Sequence, residues 1–176
     1  MAVQEAELTT PAVEREQRPG HKRLVIIAWS GDLDKVWPQM ILATTGAAMG
    51  MQTTVFFTFW GMFSLVKNEK HLTGENWMQK MVAMMDRPGM EHLKLGKMNF
   101  AGAGPAMMKK LAKEHDMASP GELLAMAQDL GVKLVPCQMT MDLMGLKRED
   151  IIEGLGDPVG ATTMLIEAQD SVTLFI

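Results

Sequence analysis

A single cysteine, Cys137, occurs among 176 residues. One thiol allows no internal disulfide, excludes an all-cysteine metal cage within one chain, and fits a reducing cytosol. The four histidines, His21, His71, His92 and His115, are scattered without metal-ligand spacing, so no metal is expected. No G-x-S-x-G elbow is present, which removes the usual serine-hydrolase arrangement. Gly102-x-Gly104 lacks a third glycine and follows no convincing strand, so it is not a dinucleotide fingerprint. Positive charge is also short: the formal net charge of −4 gives no electrostatic reason to expect nucleic acid or an anionic membrane as partner. The first eighteen residues hold no apolar core of a secretory signal, and residues 1–22 read as a disordered tail.

Between residues 36 and 66 there is no charged side chain at all, a run long enough to imitate a membrane span. Pro38, Gly46, Gly50 and several threonines and glutamines interrupt it, and its period changes midway. A buried helix followed by a central strand explains it better than a span. Together with the methionine-rich stretch after it, the run offers more apolar surface than a small domain covers, so a homo-oligomer is expected.

What is present reads as alternating strands and helices. RLVIIA at Arg23–Ala28 is a strand with no solvent-facing alternation, as expected of a parallel strand covered on both faces. Asp32 or Ser30 is placed to cap a helix running to about Met49, with Pro38 near its first turn and Gly50 as its stop. Residues 52–59 form a second strand, and another helix starts at Met62. Residues 68–104 read as a helical insertion, with helical spacing at 75–86. Pro105 opens a helix over 106–115, and Ser119-Pro120-Gly121-Glu122 is a capping box before a helix at 123–130. A strand at 132–136, a short helix from Gln138 closed by Gly145, a helical piece at 147–152, a glycine-broken short strand within 154–159, a helix at 161–169 and a buried strand at 172–176 complete the chain. These five strands and their helices predict a three-layer α/β/α sandwich with a mostly parallel five-stranded sheet over residues 23–176.

Ligands of open parallel sheets bind at the carboxyl ends of the strands. Three loops should meet there: residues 29–32, residues 60–61 and residues 136–140, the last carrying Cys137. A thiol between a strand end and a helix start lies where backbone N–H groups favour an anion, which lowers a cysteine pKa. A buried, inert cysteine is the competing reading. Asp32 and Asp34 could act as acid–base groups, although carboxylates at a helix start are usually caps. The 19 methionines could suggest a Cu(I) module, but irregular packing explains them more simply.

The stretch Cys137-Gln138-Met139-Thr140-Met141-Asp142-Leu143-Met144-Gly145 resembles the DsrE/DsrF-like family of sulfur-relay proteins, in particular its single-chain branch often labelled peroxiredoxin-like. SGDLDK at 30–35, TVFFTFWG at 54–61, the block 98–110 with GAGPAMMKK, and the terminal LFI extend the resemblance over residues 23–176. It implies an α/β/α homo-oligomer that carries sulfane sulfur on a cysteine, as persulfide or thiosulfonate. Donor and acceptor proteins of the rhodanese or TusA type, and a cytoplasmic location, go with it. No cofactor is expected beyond the covalently held sulfur, and no membrane span. Only Cys137 can be the acceptor. The backbone N–H groups of Gln138, Met139 and Thr140 would stabilise its anion, and Trp29, Ser30, Gly31, Asp32, Trp60, Asn99, Gly102 and Gly104 would wall the pocket. Relatives with a second cysteine could close an internal disulfide; this chain cannot, and no Pro-x-x-x-Thr-x-x-Cys arrangement precedes Cys137. A non-catalytic oligomeric scaffold with a structural Cys137 is the alternative, and a Met-rich Cu(I)-binding module a third.

Overall fold

The computed structural model describes residues 23–67, 89–97 and 99–176. The expected N-terminal tail, most of the 68–104 insertion and the helix at 75–86 lie outside the described residues. β1 (Arg23–Ala28), α1 (Leu33–Ala48) and β2 (Gln52–Phe57) form a parallel β-α-β unit. A 3₁₀ helix (Phe59–Leu65) follows, where a helix from Met62 was expected. Next come α2 (Ala103–Glu114), α3 (Pro120–Asp129), β3 (Lys133–Pro136), α4 (Gln138–Met144), α5 (Ala161–Glu167) and β4 (Val172–Phe175).

Among the described residues the sheet has four strands, not five, in the order β3-β2-β1-β4, and every pairing is parallel. The glycine-broken segment lies where a fifth strand would: Gly156 N–H donates to Leu134 O (2.8 Å) and Val159 N–H to Pro136 O (3.1 Å). Only one bridge forms, Cys137 with Val159. Pro158 has no N–H to offer a ladder, and Gly154 turns the chain at φ +75°, so pairing stops there. The 147–152 piece is likewise reduced to a 3₁₀ turn at Arg148–Asp150.

Side-chain alternation divides the core in two. Leu24, Ile26, Ala28, Val55, Phe57 and Leu134 face α1 and α3 and join one continuous buried cluster. Gly46 of α1 makes this packing close, since a Cβ there would sit 2.6 Å from Leu24 Cδ2. Trp37 Nε1 donates to Ala118 O (2.9 Å), tying α1 to the α2–α3 connection. The charge-free run is thus a half-buried helix, an interior strand and a buried 3₁₀ turn. Among the described residues, no helix is long and apolar enough to cross a membrane.

Several local details differ from expectation. Asp32 occupies the α1 N-cap position, but its side chain makes no cap bond; it pairs with Lys35 (3.1 Å) while Ser30 Oγ accepts the Asp32 N–H (3.2 Å). The start of α1 is secured instead by the strap at 94–96: Leu33 N–H donates to Lys94 O (2.7 Å) and Gly96 N–H to Asp34 Oδ1 (3.1 Å). Pro38 is the sixth helical residue, in the second turn, so the helix forgoes one interior hydrogen bond. The capping box at Ser119 forms as expected, with Pro120 opening α3.

β4 is not a buried strand. It pairs with β1 alone, and Phe175 is 68% exposed. On that side of the sheet Val25, Phe56, Val135 and Cys137 form a small separate cluster capped by Met164 of α5. α5 is held down by Glu167, whose Oε1 accepts from Thr54 Oγ1 of β2 (2.8 Å) and whose Oε2 pairs with Lys133 of β3 (2.9 Å). Partial burial works to raise the Glu167 pKa, but Lys133 and the Thr54 hydroxyl outweigh it and hold the carboxyl below its ordinary value.

Candidate functional site

Chain order and strand order together locate a switch point. The chain steps outward from β1 to β2 to β3, then returns to β4 on the opposite side of β1. Connections on the two sides of β1 use opposite faces: α1 packs with the main core, α5 with the smaller cluster. A crevice at the carboxyl ends of the strands follows from that arrangement.

The three loops expected at this rim do meet. Gly61 N–H donates to Trp29 O (3.1 Å), and Cys137 N–H donates to Phe57 O (2.9 Å). The loops approach so closely that only glycine fits twice. A Cβ on Gly31 would lie 2.6 Å from Trp60 O, and one on Gly61 would collide with Ala28 O. Thr140, buried in the first turn of α4, shares a hydrogen bond with Thr58 Oγ1 (3.1 Å) and accepts the Phe59 N–H (3.1 Å). Phe59 is thereby kept at φ +46°, a conformation that residues with a Cβ seldom adopt.

Beside this junction lies a cavity of about 620 Å³, floored by Val25, Ile27, Phe56 and Met164 and rimmed by Trp29, Phe59, Trp60, Leu165 and Phe175, with Ala161 and Thr58 completing it. No charged side chain lines it, and Thr58 brings its one hydroxyl. Trp29 stacks on Phe175 (centroids 6.0 Å apart) and Trp60 on the buried Phe63 (5.9 Å). Cys137 is 6% exposed and is not itself part of the cavity lining; it packs in the same cluster as the floor residues Val25, Phe56 and Met164. Strand alternation through Leu134, Val135 and Pro136 turns the thiol to this face of the sheet.

The other expected site residues divide. Trp29 and Trp60 line the cavity. Ser30 is buried and accepts the Asp32 N–H, Gly31 permits the Trp60 approach, and Asp32 turns to Lys35 at the start of α1. Gln138 N–H is donated to Val159 O (3.0 Å), so it cannot serve an anion on Cys137, and the Gln138 side chain bonds Asp142. Met139 is 70% exposed. Gly102 and Gly104 both donate their N–H to Asn99 O at the start of α2, and none of the three lines the cavity. Sequence reasoning missed the floor of the cavity and, at its rim, Phe59, Leu165 and Phe175. Only Phe59 carried a signal, as an aromatic at the end of a strand directly before Trp60-Gly61.

Among the described residues, no three His, Cys, Asp or Glu side chains gather as a metal site. The methionines after Cys137 do not share a face: Met139 is exposed, whereas Met141 and Met144 pack in the main core.

The family model for DsrE/DsrF/DrsH-like proteins matches residues 20–175. This chain belongs to that family. It is 41% identical over 156 residues to the Bacillus subtilis protein YrkE, described as uncharacterized, covering 88% of this chain and 97% of that one. It is 33% identical over 165 residues to Sulfur carrier protein DsrE2 of Allochromatium vinosum, covering 88% and 98%. Among solved structures, the ychN protein of E. coli superposes with a TM-score of 0.52 at 11% identity, covering 88% of this chain and 98% of that one, which bears on the fold alone.

Proposed function

We propose that this protein is a sulfur carrier that accepts sulfane sulfur on Cys137 and passes it to a partner protein. The observation that carries this reading is the position of the chain's single thiol, at the carboxyl end of β3 and turned to the face of the sheet that holds the open cavity. The family, and a relative named as a sulfur carrier, support it. The Cys137 thiolate attacks the outer sulfur of a donor persulfide, the donor's S–S bond breaks, and the donor leaves as thiolate. Carried sulfur is then yielded to an acceptor thiol. Met139 and Thr140 stand in the first turn of α4, where backbone N–H groups have no carbonyl of their own helix to bond, and these support the anion. Trp29, Gly31 and Trp60 wall the approach. With one thiol per chain, no resolving disulfide forms within the chain, so the sulfur is handed on between proteins of the rhodanese or TusA type in the cytoplasm.

The carrier is also proposed to be a homo-oligomer, joined through the α1–α2 side. There Ile41, Leu42, Met107, Met108, Leu111 and Met117 are all exposed. Light scattering at micromolar concentration should give a multiple of the chain mass.

Burial of Cys137 favours one rival, an oligomeric scaffold in which the thiol is structural. Intact-mass analysis of the native protein after incubation with inorganic polysulfide separates the two. A carrier gains one sulfur atom, about 32 Da, on Cys137 and loses it to an added acceptor thiol. A thiol left unmodified, under conditions that load a known carrier, rejects the proposal.

A further inference from the structure

We infer that the cavity at the carboxyl ends of β1, β2 and β4 binds the apolar body of a small organic persulfide, uncharged apart from its sulfur, and presents that sulfur to Cys137. The inference rests on the carrier reading of Cys137 for the sulfur step, but not for the binding. Three observations carry it. First, no charged group and a single hydroxyl line about 620 Å³, so a bare thiosulfate or polysulfide dianion would lose its hydration there with no cation to offset the cost. An aromatic or branched aliphatic body loses nothing and buries apolar surface, and the volume is that of small-molecule sites.

Second, the rim consists of large apolar side chains left open: Phe59 is 51%, Leu165 66% and Phe175 68% exposed. Third, the rim residue Phe59 has its backbone at φ +46°, and its N–H donates to Thr140. A strained residue fixed by a buried hydroxyl and facing a cavity marks a position the fold maintains against its own preference. The same Thr140 lies in the first turn of α4, directly after Cys137, so its hydroxyl ties that turn to the aromatic rim.

The reaction balances without another reagent. In R–S–SH + Cys137–SH → Cys137–S–SH + R–SH, the Cys137 sulfur forms a bond to the outer sulfur. The inner S–S bond breaks, R–S⁻ leaves with the electron pair, and it takes up the proton that Cys137 released.

Benzyl methyl sulfide, uncharged and without transferable sulfur, serves as the binding probe, read by the fluorescence of Trp29 and Trp60. Saturable binding is expected in the wild type and in Cys137→Ser. It should weaken at least about tenfold in Leu165→Gln/Phe175→Gln, whose exposed positions leave the fold unaltered. Leu165→Gln alone, with a smaller loss, serves if the double variant melts early. Benzyl persulfide should also load Cys137 faster than inorganic polysulfide does, and the double variant should abolish that advantage. Absence of saturable binding, or binding indifferent to both variants, overturns the inference. So does a wild-type oligomer that the double variant dissociates, since a second copy then fills the cavity. Loading by polysulfide without probe binding removes this inference and leaves the carrier reading. Probe binding with no loading from any donor does the reverse.

Discussion

The two faces of the sheet are built from the same four strands and end in different states. Toward α1 and α3, Leu24, Ile26, Val55, Phe57 and Leu134 disappear into one continuous core. Toward α5, Val25, Phe56, Val135 and Cys137 are capped chiefly by Met164, with Ile27 left half-buried, and the sheet runs out into a cavity rimmed by exposed aromatics. α1 spans sixteen residues and α5 seven, so a short helix leaves the carboxyl ends of the strands uncovered. The closed face supplies stability. The open face holds the thiol, and this division predicts how substitutions should separate.

The sharpest contrast lies between adjacent residues of β1. Ile26→Ala, on the closed face, should lower unfolding free energy by about 3 kcal/mol in urea denaturation. Ile27→Ala, half-buried on the open face, should cost about 1 kcal/mol. Equal losses would erase the distinction. Gly61→Ala should cost about 2 kcal/mol, because a Cβ meets the backbone carbonyl of Ala28 and the 29–31 and 60–61 loops must part. It should also raise the accessibility of Trp29 and Trp60 to a neutral quencher.

Thr140→Val should cost about 1–1.5 kcal/mol by leaving the Phe59 N–H without its acceptor, whereas Thr140→Ser should restore most of it. Release of Phe59 from its left-handed backbone would appear as a changed rate of Cys137 loading in the Val variant only. The smallest effect concerns α5. Glu167→Gln should cost about 0.5–1 kcal/mol at pH 7, since Lys133 is half exposed. The Glu167 carboxyl lies below its ordinary 4.5 in the folded state, so its contribution is full above that value and is lost as pH falls through the folded value. Wild type and variant should therefore converge in stability in acid, and divergence there would contradict the assigned role.

Much of the closed face was legible because its signals are local. RLVIIA, the capping box at Ser119 and the Gly145 stop each specify their element within a few residues, and all three formed where expected. The rim loops were legible too, since strand ends place them. Sheet order was not: whether the last strand adds beside β3 or beside β1 is a long-range choice, and VTLFI looks buried until β4 takes the edge. The fifth strand failed on Pro158, whose missing donor outweighs the β propensity of Val159. Phe59 escaped notice as a rim residue because a left-handed turn is announced by glycine or asparagine, and here the hydroxyl of Thr140, distant in sequence, imposes it. The loop around Asn99 was drawn to the site by its glycines, yet its bonds are its own.

The central claim is that Cys137, though buried, reacts in the folded protein through the open face. Alkylation of native protein by a neutral maleimide, timed in wild type and in Ile26→Ala, tests it directly. Reaction through the open face proceeds at the same rate in both, within about twofold, because Ile26 belongs to the other side of the sheet. A rate that rises about a hundredfold in Ile26→Ala, matching its loss of stability, would mean that the thiol is reached only by unfolding, and the protein would be a scaffold.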